Sequence, residues 1–174
     1  PAGTKIIIMN EKNKILRNGE IGEICIKGDN VTSGYENNLE ANKTSFFEGW
    51  FKTGDEGYFD DEGYLKISGR LKEIINKGGE KISPSEIDSV LMFHPSIEQA
   101  VCFGFKDKML GEDIGAAIIL KKGQVCNEFD IKQFAQNKLA KFKIPKKIFF
   151  VSEIPKGSTG KLQRIGLANK FGLE

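Results

Sequence analysis

Three stretches of this chain combine side chains that can meet an anion or a diol with glycines that let a ligand come close. Lys156-Gly157-Ser158-Thr159-Gly160-Lys161 is a glycine-rich loop that delivers a lysine. Its spacing is not that of a P-loop, and the strand-to-helix pattern such a loop needs does not precede it. The run from Gly69 to Ile82 places cations around the glycine pair Gly78-Gly79, where backbone can approach a ligand closely and lysine or arginine can meet phosphates. Gly49-Trp50-Phe51-Lys52-Thr53-Gly54-Asp55 ends in a carboxylate on a glycine-preceded turn. A carboxylate so placed can accept two hydrogen bonds from a vicinal diol such as a ribose. Taken singly, each stretch also describes something plainer: solvated lysines, or a surface turn with a solvated aspartate.

The elements that must position these residues change in texture along the chain. From residue 5 to about 68, short apolar or alternating runs (Lys5 to Met9, Gly22 to Lys27, Gly63 to Ser68) are separated by Gly, Asn and Asp, which predicts a β-rich lobe. Asp61-Glu62-Gly63 between apolar arms predicts a hairpin turn. After Arg70 the pattern becomes mixed. A helix is expected from Pro84 to Leu91, capped by Ser83 and stopped before His94-Pro95. Strands are expected at Gln99 to Phe105, Gly115 to Leu120 and Lys147 to Val151, with a helix over Glu128 to Leu139 and a short C-terminal one over Lys161 to Phe171. The fold class is therefore α+β, with lobes at 1–70 and 71–174 and a boundary between Gly69 and Lys72.

Composition narrows the function classes. With 174 residues and 39% hydrophobic content, the chain can build its core without disulfides or a structural metal. Cys25, Cys102 and Cys126 are odd in number and far apart, which fits neither a disulfide framework nor a metal knuckle and suits a reducing compartment. No metal site is expected. No apolar run approaches the roughly 20 residues that cross a bilayer, no signal peptide opens the chain, and no peroxisomal tripeptide closes it, so a cytoplasmic location is expected. The net charge is +2, with the last third locally basic. That cluster suits an anionic small ligand, and no aromatic-interleaved basic motif points to nucleic acid. His94, before a proline at a helix end, reads as a capping or surface residue. The start at Pro1 without an initiator methionine, running at once into an apolar strand, reads as a piece of something longer.

The order of the fragments carries more than any one of them. Gly22-Glu23-Ile24-Cys25-Ile26-Lys27-Gly28, Gly34-Tyr35, Trp50 to Asp55, Gly69 to Ile87, Leu139 to Pro145 and Pro155 to Arg164 together resemble the second half of the adenylate-forming, AMP-binding enzymes. These include acyl-CoA synthetases, luciferases and peptide-synthetase adenylation domains. The resemblance covers essentially the whole chain. Gly78 to Ile87 resembles the branch with fatty-acyl-CoA and oxalate-CoA ligases more than the peptide-synthetase branch.

The resemblance implies that residues 1 to about 70 are the last, β-barrel-like part of a large AMP-binding domain and that residues 71–174 are a small mobile lid. It implies an N-terminal domain upstream of Pro1, holding the phosphate loop and the acyl pocket. The activity implied is ATP-dependent activation of a small-molecule carboxylic acid as acyl-AMP, then transfer to coenzyme A with release of AMP, with Mg2+ bound mainly by the upstream domain. Residue by residue, Lys161 is similar to the catalytic lysine that bridges carboxylate and α-phosphate. Asp55 and Arg70 match ribose-binding positions, Lys81 a position near the nucleotide phosphate, and Gly78 and Gly79 the lining of a pantetheine tunnel. Lys72 falls at the hinge, where many relatives carry Asp and aryl- and fatty-acyl-CoA ligases often carry Lys. Asn76 stands where some relatives carry a lysine. Two alternatives stand beside the CoA ligase: a peptide-synthetase adenylation domain loading a carrier protein, and a non-enzymatic nucleotide-binding module.

Overall fold

The computed structural model describes residues 3–157, 160 and 162–173. It divides the chain into two compact units, Pro1–Lys72 and Glu73–Glu174.

In the first unit β1 (Lys5–Met9), β2 (Gly22–Lys27), β3 (Phe46–Phe47), β4 (Trp50–Phe59) and β5 (Leu65–Arg70) form one sheet, and α1 (Leu39–Ser45) leads into β3. All its pairings are antiparallel: β1 with β2, β2 with β4, and β3 and β5 with β4. Where the resemblance implied a barrel-like piece, the described strands make a sheet whose order runs from β1 to β3. Ile8, Met9, Ile24 and Cys25 form its buried apolar centre. The expected hairpin lies between β4 and β5: Asp60 N–H donates to the Tyr64 carbonyl at 3.0 Å, the Asp60 carboxylate accepts from Tyr64 N–H at 2.8 Å, and Gly63 sits at φ 82°. A positive φ at that point is what glycine supplies without strain.

The second unit is a sheet with apolar side chains on both faces. Its strands are β6 (Ile75–Lys77), β7 (Glu80–Ile82), β8 (Ile97–Asp107), β9 (Gly111–Leu120) and β10 (Lys147–Phe150). The long β8–β9 hairpin is antiparallel, and β10 runs parallel to β9. Alternation sorts the residues: Ala100, Cys102, Ala116 and Ile118 pack with Ile87 and Leu91 of α2 (Pro84–Leu91) and with Ile131 and Ala135 of α3 (Glu128–Gln136). Val101, Phe103 and Ala117 face the other way, toward Ile154 and toward Leu167 of α4 (Leu167–Lys170). Phe171 closes that second face by stacking on Phe149, with ring centroids 4.2 Å apart.

α2 begins at Pro84 after Ser83, as the proline predicts, but the Ser83 side chain makes no capping hydrogen bond and pairs with the Ser85 hydroxyl at 2.8 Å instead, while α3 carries a full capping box between Asn127 and Asp130. Two expected helices are shorter than predicted. α3 ends at Gln136, where Lys138 and Leu139 N–H both turn back to the Ala135 carbonyl. The C-terminal helix spans Leu167–Lys170 rather than reaching back toward residue 161, because Leu162 pairs with Lys156 in a β-bridge and Gly166 at φ 90° starts the helix from a left-handed conformation. His94 caps locally, its Nδ1 accepting from Ser96 N–H at 3.2 Å, with its ring edge-on to Phe134. Among the described residues no helix is long and apolar enough to cross a membrane.

Candidate functional site

Asp55 lies inside β4, not on the free turn that Gly54-Asp55 suggested, and a bulge gives it its position. Glu23 pairs with Glu56 and Cys25 with Lys52, so Ile24 alone faces Thr53, Gly54 and Asp55. Bulges of this kind bend a strand and re-aim its side chains. The extra residues are pinned. Thr53 Oγ1 donates to the Ile24 carbonyl at 2.8 Å and accepts from Asp55 N–H at 3.1 Å, while Gly54 N–H donates to Glu23 Oε1 at 3.1 Å. Gly54 adopts φ 74°, a conformation that side chains rarely take. On the other edge of β4, β5 carries its own register shift, after which Arg70 stands directly across from Asp55.

Arg70 Nε meets Asp55 Oδ1 at 2.7 Å, and Arg70 Nη1 donates to the Thr53 carbonyl at 3.4 Å. The arginine side chain is 59% exposed and the aspartate 28%. Two residues expected to act together are thus adjacent at the end of one sheet. Arg70 orients the carboxylate and still presents guanidinium N–H groups to solvent. Arg70 holds the carboxylate through Oδ1, and a carboxylate has a second oxygen with which to accept from a hydroxyl.

Lys72 is the last residue of the first unit and lies in the 3-10 turn Leu71–Glu73. Gly78, Gly79 and Lys81 come together in the second unit, on the β6–β7 hairpin. Lys77 pairs with Glu80, so Gly78 and Gly79 are the two turn residues, at φ 62° and 94°. A two-residue hairpin with positive φ at both positions is the I′ geometry that Gly-Gly favours. Gly78 N–H donates to the Leu110 carbonyl at 2.8 Å and Gly79 N–H to Asn76 Oδ1 at 3.1 Å, so Asn76 holds the turn. Among the described residues a Cβ on Gly79 would meet nothing within 4 Å, so its backbone angle is the constraint the turn imposes. Lys81 is exposed on β7.

Lys161 falls outside the described residues. The neck of its loop does not: Lys156 bridges Leu162, and Gln163 N–H donates to the Pro155 carbonyl at 2.8 Å. The next residue, Arg164, sits in a network that sequence reading missed. Its Nε meets Glu73 Oε2 at 2.8 Å, its Nη2 meets Asp88 Oδ2 at 2.9 Å, and its Nη1 donates to the Cys102 carbonyl. Asp88 Oδ1 accepts from Cys102 N–H at 2.6 Å. Burial lifts the Asp88 carboxyl above the ordinary range, with Arg164 pulling the other way. Burial also opposes the charge on Arg164, but Asp88 and then Glu73 outweigh it and raise its pKa. The signal that could have flagged this network is an arginine in an otherwise exposed basic tail, three residues past the candidate lysine.

The cysteines are free thiols, and burial pushes Cys25 up to about 11 and Cys102 well above its usual value, which makes them poor nucleophiles. Among the described residues no group of three or more His, Cys, Asp or Glu is placed to hold a metal ion.

Residues 86–161 match the model of the AMP-binding enzyme C-terminal domain. The chain's curated relatives include CoA ligases. It is 51% identical over 171 residues to oxalate–CoA ligase of Arabidopsis thaliana, covering 98% of this chain and 33% of that protein. Against oxalate–CoA ligase of Saccharomyces cerevisiae it is 48% identical over 173 residues, covering 98% of this chain and 32% of that one. The chain thus spans about a third of the length of the curated relatives it matches. Among solved structures, o-succinylbenzoate CoA synthetase of Bacillus subtilis, in complex with its acyl-adenylate intermediate, superposes with a TM-score of 0.90 at 37% identity, over 95% of this chain and 34% of that one. ATP-bound MatB of Rhodopseudomonas palustris gives 0.89 at 34% identity, over 97% and 34%.

Proposed function

We propose that this chain supplies the ribose-holding edge and the lysine-bearing lid of an ATP-dependent acyl-CoA synthetase. That enzyme activates a carboxylic acid as acyl-AMP and passes the acyl group to coenzyme A. The observation that carries the reading is the Asp55–Arg70 pair: a carboxylate set on a pinned bulge, oriented through one oxygen by an exposed guanidinium, within a chain so similar to CoA ligases. One Asp55 oxygen and the outer N–H groups of Arg70 suit the two hydroxyls of a ribose.

In the first half-reaction Lys161 sits beside the attacking carboxylate and the α-phosphate. Charge builds on both as the bond forms, so a fixed cation there stabilises the transition state more than the ground state. Lys81 contacts the nucleotide phosphate. Mg2+ would be held mainly by residues of the N-terminal domain that the resemblance implies, where it would neutralise phosphate charge. In the second half-reaction the lid turns about Lys72, and Gly78-Gly79 lines the path of the pantetheine arm, where a turn without side chains leaves room.

The test is acid-dependent pyrophosphate release by the complete ligase that contains this chain, with and without Lys161→Ala. The substitution is expected to cost roughly a hundred- to a thousandfold in rate, the usual loss for one transition-state charge partner. Robust pyrophosphate release by the 174-residue chain alone would refute the division of labour between this chain and upstream residues.

A further inference from the structure

We infer that Arg164 is a positioning residue for the adenylation step, acting as a clamp that fixes the exit of the lysine-bearing loop to the body of the second unit. The inference rests on the reading that Lys161 is the catalytic cation.

Each guanidinium nitrogen of Arg164 is bound, and each to a different part of the unit: Glu73 in the turn that opens it, Asp88 on α2 and the Cys102 carbonyl on β8. These partners lie 91, 76 and 62 residues away in sequence. The Arg164 side chain is only 14% exposed, among carboxylates at 27% and 18%. Core filling alone is a poor reason for such a group, since apolar side chains of similar volume commonly stabilise an interior as well as a buried ion network does. What a planar three-way fork adds is direction, because each nitrogen fixes a different axis. The Leu162 bridge, the Gln163 hydrogen bond and the Arg164 fork are consecutive, and Leu167 and Phe171 pack against the unit a few residues on, so the described chain just past position 161 is anchored at several points. An error of about 1 Å in placing a catalytic group can cost on the order of a hundredfold in rate, so an anchor three residues away is close enough to matter.

The test uses the complete ligase and acid-dependent ATP–pyrophosphate exchange, comparing Arg164→Lys, Lys161→Ala and the double variant, each checked for its melting temperature. Arg164→Lys keeps the charge and loses the fork. It is expected to lower kcat by roughly ten- to a hundredfold, with the KM for ATP within about twofold. In the Lys161→Ala background the same change is expected to add no further loss, because it acts through the lysine. Glu73→Gln, which keeps the volume and removes one partner, is expected to show a weaker form of the same kcat loss should Arg164→Lys fail to fold. Losses that multiply in the double variant, or a kcat untouched by Arg164→Lys and by Glu73→Gln, overturn the clamp. A Lys161→Ala enzyme with normal exchange instead overturns the reading beneath it.

Discussion

Arg70 and Arg164 are each paired with a carboxylate, and they are built for opposite purposes. Arg70 is 59% exposed on a sheet end, with a single ion pair to Asp55. Arg164 is 14% exposed and tied to two carboxylates and a backbone carbonyl. An exposed pair contributes little to stability, because water screens it and two long side chains must be ordered to form it. A buried one is costly to break, since removing either partner strands the other charge away from water. The first arrangement is what a ligand can join, and the second is what a fold uses to fix a segment in place.

Substitutions can sharpen or break this contrast. The largest stability effect is expected for Arg164→Ala, which leaves Glu73 and Asp88 without their cation. Chemical denaturation should show a loss of about 3 kcal/mol. Next in size, Asp55→Asn should leave the unfolding midpoint unchanged yet weaken AMP binding by calorimetry roughly tenfold or more, as expected on losing a charged hydrogen-bond acceptor. Arg70→Met should change stability by less than about 1 kcal/mol, so a large drop in its melting temperature would erase the distinction between the two arginines.

The smallest effect concerns pH. Hydrogen bonds from Lys146, then from the Met109 and Leu110 amides, lower the Asp107 carboxyl to about 2. Because the folded-state value lies below the unfolded one, the contribution is present above the ordinary carboxylate range and is lost as pH falls through about 2. Asp107→Asn should therefore flatten the acid limb of the stability profile and leave the neutral region nearly unchanged.

Much of the framework was legible in the sequence because local signals agreed with the tertiary outcome. β1 and β2 match their apolar runs residue for residue, and Ser83-Pro84 announces α2. β4 was hidden because Trp50–Phe59 holds two glycines and two acids in ten residues, a composition that reads as a turn. The strand survives through cross-strand pairing on both edges, and Gly54 is spent on the bulge. The β6–β7 hairpin was legible as a glycine pair that lets a ligand approach, but not as a turn needing positive φ at both positions. For the site, Asp55 and Arg70 were each nameable, whereas their register across two irregular strand pairings was not. The Arg164 network is a long-range pairing that no local periodicity encodes.

On the proposed function, the first unit holds the nucleotide while the second places the reacting cation. One steady-state comparison in the complete ligase tests it: ATP–pyrophosphate exchange at varied ATP for Asp55→Asn and Arg164→Lys side by side. Asp55→Asn is expected chiefly to raise KM for ATP and Arg164→Lys chiefly to lower kcat. Both variants altering the same constant, in the same proportion, would contradict it.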